Sequence, residues 1–126
     1  AFTISIPSEK HVREIDHIGL VSGRAVDKFA TLGLTAARAE HVDAPFIEEF
    51  PVIIECRLLQ TIELGLHTQF IGEGMDIKAD ESVLDEKDHP DEEKVRPIIF
   101  SPSTRAYHGL GAFLGKAFSI GKEKKL

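Results

Sequence analysis

Two long runs rich in Val, Ile and Leu occupy the middle of the chain. VIIECRLLQTIEL extends from Val52 to Leu64, and HTQFIGEGMDIKAD begins at His67. Runs of this length, separated by Gly65, predict two long strands folded back on each other as a hairpin. Such a hairpin commits most of the backbone hydrogen bonding to an antiparallel sheet, and the remaining segments must pack around it. Gly72 and Gly74, two apart, strip one face of the second strand of side chains. That pattern fits a bulge, a close approach by another backbone or flat ligand, or a barrel corner that requires glycine.

The flanking segments read as shorter elements. AFTISIP alternates Phe2, Ile4 and Ile6 with Thr3 and Ser5, the period-two pattern of a half-buried strand that Pro7 ends. Ser8 is a candidate N-cap for SEKHVREIDHIGL, whose apolar stripe runs through Val12, Ile15 and Ile18, with Gly19 as its stop. A second helix is expected over RAVDKFATLG. There Val26, Phe29 and Ala30 would face the core, and Arg24 and Lys28 would share a polar face one turn apart. Residues 34–51 read mainly as loop, and Asp80 to Glu93 as a solvated acidic excursion. PIIF (97–100) predicts a short strand, STRAYHGLG a polar loop, and AFLGKAFSIG (112–121) a final strand. Residues 1–126 therefore read as one domain. It is mainly β with short helical insertions, a small antiparallel barrel of about five strands, because helices do not alternate with strands as a parallel sheet requires.

Composition narrows the function classes. A net charge of −6 over 126 residues argues against nucleic acid, whose binding depends on clustered Lys and Arg. No apolar run reaches the length of a membrane span, which points away from the membrane and towards the cytoplasm. A single cysteine, Cys56, leaves no partner for an internal disulfide, and its apolar neighbours predict a buried, inert thiol. The six histidines show no metal-ligand spacing, so no metal site is expected. There is no GxSxG elbow, phosphate loop or zinc helix, and GLGAFLG lacks the order and context of a dinucleotide-binding turn.

In sequence order, FTISIPSEK, DHIGLVSGRAVDKFATLGLT, VDAPFIEEFPVIIECRLL, ELGLHTQFIGE, RPIIF, YHGLG and FSIGKE resemble the flavoredoxins. These belong to the flavin reductase-like family of FMN-binding split barrels. The resemblance implies a split β-barrel that forms a homodimer and holds FMN non-covalently at or near the subunit interface. In that family AFTISIP is an internal strand, so the chain reads as the C-terminal majority of such a domain. A mature N-terminus with an immediate edge strand is the alternative.

Matching positions carry the family's flavin neighbours onto Lys28, His67 and Phe100, around the reactive part of the isoalloxazine ring. Arg24 is a cation suited to an anionic group, and Tyr107 is a candidate for stacking. A cation and a donor beside the ring stabilise the charge that a reduced flavin acquires, which gives Lys28 and His67 the catalytic roles. The resemblance implies electron transfer or flavin reduction, with NADH or NADPH as donor or a redox partner protein in that place. The rival expectation is a split-barrel module that dimerises or binds a partner without holding flavin.

Overall fold

The computed structural model describes residues 1–123. Its frame is a three-stranded antiparallel sheet in the order β1–β4–β5, formed by Phe2–Ile6, Val52–Leu64 and His67–Ala79. The hairpin has the predicted bounds. Leu64 pairs with His67 across Gly65 and Leu66, and Gly65 takes φ +70°, a left-handed conformation that glycine adopts without a Cβ penalty. The register slips between Glu55 and Cys56 and again between Leu58 and Gln60, opposite the two glycines. Gly72 is a place of close approach. A Cβ there would stand 2.5 Å from Cζ of Phe2, so the occupant of the stripped face is an aromatic side chain of β1.

Either side of the sheet is treated differently. On one face Glu55 and Ile53 are buried beneath a two-stranded ribbon of β2 (Ala36–Arg38) and β3 (Pro45–Ile47). Thr3 Oγ1 donates to the Pro45 carbonyl at 2.6 Å, and Ser5 Oγ accepts from the Ile47 amide at 3.4 Å. The polar residues of β1 thus bind the ribbon. On the opposite face Ile4 is 47% exposed and Ile77 62% exposed. Residues 34–51, expected as loop, contain this ribbon; its strands are three residues each, too short to give a periodic signal.

Helix α1 (Val12–Leu20) follows a 3-10 turn at Glu9–His11 and runs through Gly19, which does not take the left-handed conformation by which a glycine closes a helix. The Ser8 side chain makes no capping bond. Helix α2 is shorter than expected, Lys28–Leu32. Asp27 is its N-cap, accepting from the Ala30 amide at 3.1 Å, and Gly33 closes it at φ +66°. Val26 and Arg24 belong instead to a separate turn in which the Ser22 carbonyl accepts from the Ala25 and Val26 amides. Arg24 and Lys28 therefore do not share a helix face.

The acidic excursion is a folded cover over one end of the sheet. Val83, in a 3-10 turn at Glu81–Val83, and Val95, in helix α3 (Glu92–Val95), are buried against Val52 with Ile6 and Ala79. The carboxylates stay outside and make turns. Asp85 accepts from the amides of Lys87 and His89, and Asp91 accepts from the Glu93 amide. Beyond it, β6 (Ile99–Ser101) and β7 (Ala106–His108) form a second ribbon. Its root is fixed by a two-pronged Arg96–Glu9 pair, 2.6 and 3.2 Å. Residues 112–121, expected as a last strand, have no ladder among the described residues. They form coil and turn leading into a 3-10 turn at Ile120–Glu123, with Phe113, Leu114 and Phe118 exposed. Alternation of apolar side chains supplied the strand pattern there, but among the described residues no strand pairs with it.

Candidate functional site

A shallow concavity runs along the turn before α2. A groove of about 490 Å³ is lined by residues 23–29, including Arg24 and Lys28. Arg24 is exposed on the turn, and among the described residues it makes no ion pair. Lys28 is half-buried at the start of α2, and its Nζ donates to the Ile18 carbonyl at 2.7 Å. The ammonium thereby satisfies a carbonyl near the C-terminal end of α1, where unpaired acceptors and the negative end of the helix dipole favour a cation. Beneath it Ile18, Phe29, Leu34 and Ile47 line a small apolar recess with the Lys28 stem.

The aromatic candidates meet on the second ribbon. Phe100 and Tyr107 are paired across β6–β7, with ring centroids 5.2 Å apart and tilted by 42°. Tyr107 donates its hydroxyl to Asp16 Oδ1 at 3.0 Å. This bond, together with partial burial, raises the Tyr107 phenol above its ordinary value. Helix α1 is thus common to both groups: residue 16 holds Tyr107 and residue 18 holds Lys28. On the same helix, Glu14 Oε2 and His17 Nε2 are buried with no hydrogen-bond partner.

His67 stands apart. It is exposed at the turn end of the hairpin, whereas Lys28 is anchored near Ile47, whose amide binds Ser5 opposite Ile53 and Lys78. From Lys78 to His67 is eleven residues along β5, roughly 35 Å of strand at its usual rise. Within one chain Arg24 and Lys28 share the groove, Lys28 and the Phe100–Tyr107 pair are each tied to α1, and His67 is not brought to them. Among the described residues, no group of three or more His, Cys, Asp or Glu side chains could hold a metal ion. Cys56 is buried, as its neighbours predicted.

Two residues escaped the sequence reading. Asp16 lies in the polar face of an amphipathic helix, where nothing distinguishes it from a solvated carboxylate. Glu55 sits inside a hydrophobic strand and is fully buried. It accepts from the amides of Glu40 at 3.1 Å and His41 at 2.7 Å, and Lys78 Nζ lies 3.4 Å away. Burial alone would push its carboxyl up, but the His41 and Glu40 amides and Lys78 outweigh it and hold the group below its ordinary value. A carboxylate inside the otherwise apolar run Val52–Cys56 was the available signal.

The model for the flavin reductase-like domain matches residues 1–109. The chain belongs to the flavin reductase-like family. Its fold superposes on that of a flavoredoxin from Desulfovibrio vulgaris with a TM-score of 0.88 and 55% identity, covering 94% of this chain and 63% of that one. A flavoredoxin from Methanosarcina acetivorans gives a TM-score of 0.88 at 30% identity, over 96% of this chain and 63% of the other. An uncharacterized protein of Aquifex aeolicus is 33% identical over 98 residues, 77% of this chain and 50% of that protein. The chain spans about half the length of the curated relatives it matches. The architecture is the split barrel of this family, mainly β with a few short helices. No helix among the described residues is long and apolar enough to cross a membrane.

Proposed function

We propose that this flavin reductase-like chain serves an FMN-dependent oxidoreductase of the flavoredoxin type. The observation that carries the reading is 55% identity to the Desulfovibrio flavoredoxin across 94% of the chain. FMN would supply the redox chemistry, accepting electrons from NADH, NADPH or a cytoplasmic redox partner and passing them on. The protein would bind and orient it. Support comes from an open groove of a size common for cofactor sites, with Arg24 free to meet a phosphate and Lys28 on the same rim. The half-exposed rings of Phe100 and Tyr107, tied to the helix that anchors Lys28, offer apolar faces to a flat ligand.

In this reading the working unit is a homodimer. The outer face of the sheet exposes Ile4 and Ile77, and the far half of the hairpin exposes Leu58, Leu59, Leu64, Leu66 and Phe70. A two-stranded ribbon with that much apolar surface is marginal alone and calls for a partner. His67, remote from its own Lys28, would then serve the flavin held by the second subunit.

The test is the visible spectrum of the purified chain before and after FMN is added and the sample desalted. Retained flavin bands support the reading. Arg24→Ala should then weaken FMN binding roughly tenfold or more, as expected for loss of a charge-assisted contact to phosphate. His67→Ala should leave affinity nearly unchanged and alter the rate of flavin reduction. A colourless protein that still sediments as a dimer would favour the rival, an assembly module without flavin.

A further inference from the structure

The β6–β7 ribbon has three residues per strand, too few to hold a fixed orientation by its own ladder. Its root is held by the Arg96–Glu9 pair, and beyond that root the two paired aromatic rings are tied to α1 by one side chain. Phe100 is 52% and Tyr107 37% exposed, so core packing does not account for their arrangement. We infer that Asp16 is a positioning residue. By accepting the Tyr107 hydroxyl it fixes the Phe100–Tyr107 pair relative to the helix that also anchors Lys28. The inference rests on the flavin reading for its purpose, but the geometry is a property of the chain itself.

The bond has a chemical consequence. A phenol committed to Asp16 is not free to donate to a ligand, so Tyr107 offers its ring face and an acceptor oxygen but no donor. The site would then select a flat heteroaromatic ring system by stacking, while polar recognition falls to Arg24 and Lys28. The two devices share one registration element: the anchor points for Tyr107 and Lys28 are two residues apart on α1. Moving that helix would shift cation and aromatic wall together.

Tyr107 is the only tyrosine of the sequence and there is no tryptophan, so its optical signals need no deconvolution. The experiment uses the full chain without flavin and reads the phenolate absorbance against pH and the near-ultraviolet circular dichroism. The parent should titrate above free tyrosine and show an ordered tyrosine band. Asp16→Ala should return the phenol to its ordinary range and remove most of that band, while thermal unfolding checks that the domain still folds. Asp16→Asn keeps an acceptor oxygen and should restore the band. An Asp16→Ala protein that is folded, with titration and band unchanged, overturns the inference.

A second arm uses FMN itself as the probe. Asp16→Ala and Tyr107→Phe should each weaken its binding roughly tenfold, and the double variant no further, because both remove one contact. Additive losses would overturn action through Tyr107. If the parent binds no FMN, the flavin reading fails, and the optical arm alone supports or overturns the positioning role.

Discussion

Replacing Glu55 by alanine is expected to lower the midpoint of thermal unfolding by on the order of 10 °C, the largest effect of any single polar substitution in the described chain. The carboxylate is fully buried and joins three parts of the fold. It stands on β4, accepts the Glu40 and His41 amides that follow β2, and faces Lys78 of β5, which also pairs with Glu40 at 2.9 Å. Alanine would leave the Glu40 and His41 amides without their carboxylate acceptor and Lys78 with one carboxylate instead of two. The same group gives a pH signature. Its folded value is depressed, so its contribution is complete above the ordinary carboxylate value of 4.5 and is lost as the pH falls through the folded value. Glu9, Glu49 and Asp85 are depressed as well, so the parent should lose stability on acidification with several contributions summed. Glu55→Gln should therefore flatten the acid limb and leave the rest. Melting curves of parent and variant across this range decide it, and parallel curves would refute the assignment.

Gly72→Ala is the second large effect, expected to cost about 1–3 kcal/mol through overpacking. The new methyl would stand 2.5 and 2.8 Å from two ring atoms of Phe2, and 3.2 Å from Cβ of Cys56. The ring can swing, but the Cys56 Cβ is part of the paired strand and cannot, so relief is incomplete. Phe2→Leu combined with Gly72→Ala should lose less than the sum of the two single changes, because the contact is shared. Denaturant unfolding of the four proteins measures the coupling, and strict additivity would show that Phe2 does not occupy that space. By contrast, a Cβ on Gly74 would meet only Ile54 Cγ2, at 3.9 Å, so Gly74→Ala should be much milder. The two glycines look equivalent in sequence and are not equivalent in the fold.

How far the sequence reached can be judged element by element. The hairpin bounds were legible because long strands of β-branched residues and a single glycine leave few alternatives. The start of α2 was not, since RAVDKFATLG continues the apolar spacing while the Asp27 cap and the Ser22 turn divide it. The last expected strand shows the converse: alternation is necessary for a strand, but a ladder also needs a neighbour. The acidic stretch misled in a third way, because its many carboxylates concealed Val83 and Val95, two of the buried core residues.

The candidate site divides along the same line. Sequence alone determined the family, the long hairpin, the buried Cys56 and the residue types suited to a flavin, since these rest on local patterns and on the order of short motifs. Tertiary structure decided which of them meet. It tied Lys28 to Ile18, joined Tyr107 to Asp16 and Phe100, and left His67 far along β5. The reason is physical: propensity and periodicity act over a few residues, whereas these pairings span 10 and 91 positions of the chain and arise only once the helix and the ribbon have packed.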